Sequence, residues 1–402
     1  MEPGVTRFLV AWLAGAAAIA LAELAVRAWI RFRRAYYVCL PSQRLRLHVD
    51  RDTLPQLDPV ARFDVNRDGE RGPELPRLRR GETLYRVLVA GGSQPEGYLL
   101  DQDVNWPGAL HRMLSAPDCA AALNASKVHV GSIARSGVGS EALDLLLERV
   151  LPRYPRLSAI VILVGASDML RWLEEGAPHA PSSLVSTGEL FRCHPEGPFG
   201  WTPRSLAITE AARRAHRRLF RPERVHERAG RWLGKARAMR ARARVIRATM
   251  PDPGPMLDHF ERHFARAIRR AQVHADRVVV VRQSWYGKDT LTPEESAHMW
   301  HGGAGQAWRE EVTTYYSIDV TGRLMGLLDA RAERVAGTLG VEQIDLMSVL
   351  EPNLATYYDY FHLTPSGAQS VAAAVARALL QPRTAAVILN GDIPSCAGLR
   401  AS

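Results

Sequence analysis

From residue 85 onward the chain alternates short β-branched-rich runs with longer stretches of helical periodicity, a pattern that admits few folds. The runs lie at residues 85–90, 128–133, 159–164, 278–282 and 341–345. Such runs read as buried strands. Helical patterns fill the gaps at 106–114, 140–150, 256–274 and 319–339, with one more at 366–380, and Pro152 closes the second. The alternation predicts an α/β fold, a three-layer α/β/α sandwich around a mostly parallel five-stranded sheet. In such a sheet the ligand site lies off the carboxyl ends of the strands.

Chemistry-bearing residues fall at those ends. Gly91-Gly92-Ser93 follows the first run, Gly137 the second, and Gly165-Ala166-Ser167-Asp168 the third. Asp359-Tyr360-Phe361-His362 precedes the last helical pattern, which opens with Thr364-Pro365-Ser366-Gly367. A serine on the turn leaving a strand is exposed at the sheet edge, and an aspartate three residues before a histidine can orient its imidazole within one turn. A hydroxyl is a poor nucleophile at neutral pH and needs a neutral histidine within hydrogen-bond reach. Ser93, His362 and Asp359 supply nucleophile, base and orienter. Seen singly, a Gly-Gly-Ser turn reads as a plain connection and the Asp/His pair as a helix-terminal turn with a packing histidine. It is their joint order that points to catalysis. Asp168 fits a structural role, accepting backbone hydrogen bonds in the loop after the third run.

This order resembles the SGNH (GDSL-like) hydrolase superfamily over about residues 85–380. The resemblance implies a flavodoxin-like fold, Ser93 as nucleophile, His362 as base and Asp359 as its orienter. It also implies an oxyanion hole made by the N–H groups of Ser93 and Gly137 and the side chain at position 167. Ser167 stands where the family has an asparagine, so a hydroxyl on a shorter, freer arm replaces an amide donor; one such donor contributes about 2.7 to 4 kcal/mol. Gly92 replaces the usual aspartate, and Ser132 an asparagine common among relatives. The Gly-Gly-Ser variant, the segment Asn66-Arg67-Asp68-Gly69-Glu70-Arg71-Gly72-Pro73-Glu74 and Asn105-Trp106-Pro107 are similar to membrane-anchored bacterial members. The implied activity is that of a membrane-anchored serine esterase acting on an acylated glycan, a lipid or a small ester. An O-acyltransferase with the same triad and a catalytically weak binding protein on the same fold remain open.

Residues 8–22 are uninterrupted and apolar. A helix continuing through Glu23 and Arg27 to Ile30 crosses a ~30 Å hydrocarbon core at ~1.5 Å per residue. Residues 1–34 therefore read as a transmembrane anchor. Ala20-Leu21-Ala22 resembles a signal cleavage site, but only Arg7 precedes the apolar stretch and apolar residues resume beyond it. Arg31, Arg33 and Arg34 favour a cytoplasmic domain by the positive-inside tendency, whereas the resemblance implies an extracytoplasmic one. Residues 35–80 read as an irregular lead-in, 81–382 as the hydrolase domain with a basic helical insertion at about 171–256, and 383–402 as a tail.

The chain carries 52 Lys and Arg against 42 Asp and Glu, a net charge of +10. Residues 213–247 hold fourteen basic residues and two glutamates, +12, so the remainder nets −2 (10 − 12). This segment reads as a helical excursion broken at Pro222 and Gly230. It lacks the interleaved aromatics or helix-turn-helix spacing that nucleic acid binding needs, which leaves a solvated face or contact with anionic lipid headgroups or an acidic glycan. His298 and His301 flank Trp300 without a carboxylate at metal-ligand spacing, consistent with packing or an active-site lid. Cys39, Cys119, Cys193 and Cys396 show no C-x-x-C spacing, so one or two disulfides or buried free thiols are open. No phosphate loop or dinucleotide fingerprint is present, and neither cofactor nor metal is implied.

Overall fold

The computed structural model describes residues 3–181, 186–196, 205–382 and 387–388. Its central sheet contains β1 (Leu84–Gly91), β2 (Lys127–Ser132), β3 (Leu157–Leu163), β4 (Ala275–Val281), β5 (Glu342–Ile344) and β6 (Val387–Ile388), in the order β6-β5-β4-β3-β1-β2. Every pairing is parallel. The five runs became β1 to β5, and two residues of the segment read as a tail add the short edge strand β6. β1 lies between β2 and β3, so the winding reverses there, as in flavodoxin-like sheets. That reversal opens a crevice above the carboxyl end of β1.

Parallel pairing needs long crossovers, and the helices supply them in two layers. Trp106–Leu114 packs against Pro365–Leu380, while Ser140–Val150, Gly254–His274 and Ile318–Thr338 pack together. Ala159 to Leu163 of β3 have no exposed surface, as expected of a strand buried between two layers.

Residues 35–80 are more regular than their composition suggests. Arg44–Val49 and Val60–Asp64 form an antiparallel pair that Glu223–Ala229 extends in parallel into a three-stranded sheet. The alternation Leu45, Leu47, Val49 is the period of a one-sided strand, and Leu47 and Val49 are buried. Glu223–Ala229 buries only Ala229 and so carries no hydrophobic signature; backbone pairing and the Arg46–Glu223 and His48–Glu227 ion pairs hold it. The basic segment accordingly breaks at Pro222 and Gly230 as read, but its middle piece is a strand between the helices Ala207–Phe220 and Arg231–Ala241.

The N-terminal helix Pro3–Phe32 is long and apolar enough to cross a bilayer. Its last turns dock on the domain. Ile30 is buried with Ala35, Tyr37, Cys193 and Ala207, and the Glu23 carboxylate accepts from the N–H groups of Ala207 and Ile208 at 2.9 and 3.0 Å. Cys39 and Cys193 are buried free thiols, Cys119 is buried, and Cys396 lies outside the described residues.

The segment 66–74 is a buried polar brace. Glu70 has no exposed surface and pairs with Arg86 and His129, both at 2.7 Å. Burial alone raises a carboxyl's pKa, but the hydrogen bond from His129 and the charge of Arg86 outweigh it and hold Glu70 well below the usual range. Arg71, beside it, donates to the carbonyls of Glu96, Gly97 and Leu100. Glu70→Ala leaves Arg86 buried without its partner. It is expected to lower stability by about 3 to 5 kcal/mol in denaturant unfolding; a loss below about 1 kcal/mol means the pair does not hold the core.

Candidate active site

Ser93 begins the short helix Ser93–Glu96 directly after β1. The turn requires Gly91, because a Cβ there would sit 2.0 Å from the carbonyl oxygen of Leu163 on β3. Gly92 donates its N–H to the same oxygen at 3.1 Å, which pins the turn to the neighbouring strand. Glu96 then accepts from the Ser136 N–H at 2.8 Å and from its hydroxyl, fixing the loop after β2 that carries Gly137. Gln94 donates to Ser284 Oγ at 2.9 Å and to the Phe361 carbonyl at 2.7 Å. The residue after the serine thus reaches the backbone beside the histidine.

His362 lies on the loop before helix Pro365–Leu380. Its Nε2 is 2.9 Å from Ser93 Oγ, and its Nδ1 is 2.8 Å from Asp359 Oδ2. Asp359 is fully buried and accepts four donors: the ring of His362, the N–H groups of Phe361 and His362, and Trp300 Nε1 at 2.9 Å. Burial opposes its charge, yet the charge interaction with His362 and these hydrogen bonds outweigh it and hold Asp359 far below the carboxylate range. For His362, burial pushes the imidazole down, and the charge and hydrogen bond of Asp359 outweigh it to raise the ring above its ordinary value. The structure brings Ser93, His362 and Asp359 into one hydrogen-bonded chain.

Gly137 is exposed in a left-handed turn (φ +80°), and its N–H donates to nothing among the described residues. Ser167 is half-buried beside the glycine turn, its Oγ 3.5 Å from where a Gly92 Cβ would stand. A cavity of about 40 Å³ opens beside Gly137 and Ser167, walled by Trp172, Met256 and Arg171. Asp168 ties two loops together, accepting from the N–H and hydroxyl of Ser140 at the start of helix Ser140–Val150.

Arg237 and Arg240 were not singled out from the sequence as positioning residues, and Trp300 and His301 were read as packing or a lid. Trp300 packs edge-on against Trp232 at 4.9 Å while it donates to Asp359. His301, between Trp300 and Phe361, is pushed by burial down to about 3 and stays neutral. Arg237 donates to the carbonyls of His298 and Tyr358, and Arg240 to those of His301 and Tyr316. These two arginines of the basic segment face inward and brace the histidine loop. Their signal in the sequence was only charge. Glu141, His259 and His263 place donor atoms within 4.8 Å of one another, but Glu141 pairs with His259 and Asp144 with His263 across two helices, which accounts for them as packing.

Serine after β1, glycine after β2, Ser167 after β3 and Asp-x-x-His before the last helix now stand around one crevice of a flavodoxin-like sheet. This is the arrangement that the resemblance to SGNH hydrolases implies. No family model and no curated protein matches the chain. Among solved structures it is similar to the acetylxylan esterase Axe2 of Geobacillus stearothermophilus (11% identity, 76% of this chain and 96% of that one, TM-score 0.38). A lipolytic G-D-S-L family protein of Veillonella parvula (9%, 72% and 94%, 0.37) is also similar. So is LAE5, an alpha/beta hydrolase from the metagenome of Lake Arreo (12%, 76% and 99%, 0.36).

The raised His362 sets a pH signature. A base must be neutral to accept the serine proton, so kcat/KM on an ester is expected to rise with pH through a midpoint above about 6.5. A midpoint below about 6 contradicts the Asp359–His362 coupling.

Proposed function

We propose that this chain is a membrane-anchored serine esterase that removes a short acyl group from a hydroxyl of a glycan or lipid. The observation that carries this reading is the chain of contacts from Ser93 Oγ to His362 Nε2 at 2.9 Å and from His362 Nδ1 to Asp359 at 2.8 Å. In the first step His362 Nε2 takes the Ser93 proton as Oγ bonds to the ester carbonyl carbon. Oxyanion charge then falls to the N–H groups of Ser93 and Gly137 and to the hydroxyl of Ser167. The substrate alcohol leaves with the proton from His362, and the acyl group stays on Ser93. Water, deprotonated by the same imidazole, releases the acid and frees the serine.

The cavity beside the oxyanion donors Gly137 and Ser167, which Ser93 and His362 do not themselves line, supports a short acyl group. A volume of about 40 Å³ holds roughly three water-sized groups, enough for an acetyl but not for a fatty chain. The helix Pro3–Phe32 would carry the domain on a membrane surface, where acylated lipids and envelope glycans are both within reach.

p-Nitrophenyl acetate, butyrate and octanoate distinguish this reading. kcat/KM is expected to fall by roughly tenfold or more from acetate to octanoate and to vanish in Ser93→Ala. An enzyme preferring octanoate overturns the short-acyl assignment, and activity retained in Ser93→Ala overturns the mechanism.

A further inference from the structure

A second cavity, of about 630 Å³, lies where the N-terminal helix meets the basic segment, and the Ser93 chemistry does not use it. Its walls carry Arg33, Arg86, Arg153, Arg214 and Arg218 against a single acid, Asp68. Arg86 is answered by Glu70. Arg33, Arg153 and Arg218 make no ion pair among the described residues. Aromatic rings hold four of the guanidiniums in place: Arg153 lies over Tyr37 at 4.4 Å and Tyr154 at 4.9 Å, Arg214 over Tyr37 at 5.0 Å, Arg86 over Tyr154 at 4.8 Å and Arg33 over Trp29 at 5.9 Å. Arginine forks fixed on rings around one concavity repel one another unless an anion joins them, and their planar geometry suits phosphate oxygens.

The depth of this cavity identifies the anion. About 20 residues fill a hydrocarbon core, so a span starting at Gly4 ends near Glu23. Glu23 tethers the first turn of the basic helix Ala207–Phe220, which sets that helix at the headgroup level. Trp29 and Arg33 line the cavity within the turns just beyond, and Leu219, also lining it, is 74% exposed. An amphipathic tryptophan and basic side chains are the usual residues at that depth.

We propose that this cavity binds the phosphate of an anionic lipid headgroup, with the acyl chains running back along Trp29 and Leu219 into the bilayer. The proposal rests on the membrane-anchor part of the reading above and is independent of the hydrolase chemistry. Seated in this way, the lipid would fix the height and tilt of the domain over the membrane.

Native mass spectrometry of the full chain, released from detergent micelles, tests it with phosphatidylglycerol and phosphatidylcholine as probes. One phosphatidylglycerol per chain is expected, with no phosphatidylcholine retained at the same concentration. Arg33→Gln/Arg218→Gln, which changes only exposed side chains, should weaken retention about 25-fold, roughly fivefold per arginine. Arg153→Gln should weaken it as well, and Arg262→Gln/Arg269→Gln, on the exposed side of another helix, should leave it unchanged. Equal retention of both lipids, or wild-type retention in Arg33→Gln/Arg218→Gln, overturns the proposal. Displacement of the lipid by an equal concentration of glycerol 3-phosphate assigns the site to a soluble phosphate and overturns the lipid assignment. Release of the full chain from membranes by alkaline carbonate overturns the anchor reading and this proposal together, whatever the esterase assays return.

Discussion

A carboxylate with no exposed surface dictates how the rest of the site is built. Asp359 can stay ionised in the interior only because four donors converge on it, and an isolated buried charge is costly enough that the group would otherwise protonate. Each donor comes with a structural demand. The two backbone N–H groups impose the tight turn at residues 359–362, the imidazole is locked by Nδ1 with Nε2 facing Ser93, and Trp300 must arrive from a loop 59 residues earlier. That loop is held by Trp232, Arg237 and Arg240, so the basic segment becomes part of the histidine's support.

The serine is braced from the opposite side. Arg71 grips the carbonyls at the end of the helix that Ser93 begins, and Glu70 next to it is fixed between Arg86 of β1 and His129 of β2. Gln94 closes the circuit by reaching the Phe361 carbonyl. Nucleophile and base are therefore tied to one framework rather than carried on independent loops, which favours a short, aligned Ser93–His362 contact before substrate arrives.

How much of this was legible depended on whether burial left a periodic trace. β1 to β4 and helices such as Trp106–Leu114 and Ser140–Val150 bury continuous faces, and their apolar residues mark them clearly. Ser93, Gly137, Ser167, Asp359 and His362 were legible as a set because each follows a recognisable strand or precedes a recognisable helix. The strand Glu223–Ala229 was not, since nearly all of its side chains face solvent and only its backbone pairs. Arg44–Val49 has a real alternation of leucine and arginine, but a six-residue signal among prolines and charges is easily read as loop. Arg237 and Arg240 were hidden for another reason: their roles come from contacts across tens of residues, and composition alone makes them look solvated; the segment of Trp300 was read as packing or a lid, but not its bond to Asp359.

The most direct test of the central claim is covalent labelling of the detergent-solubilised full chain with a fluorophosphonate, which needs an activated serine but no knowledge of the natural ester. Labelling of the wild type at Ser93, abolished in Ser93→Ala and strongly reduced in folded His362→Ala, is the expected result. A folded wild type that takes no label, or labelling that persists in Ser93→Ala, contradicts an activated Ser93.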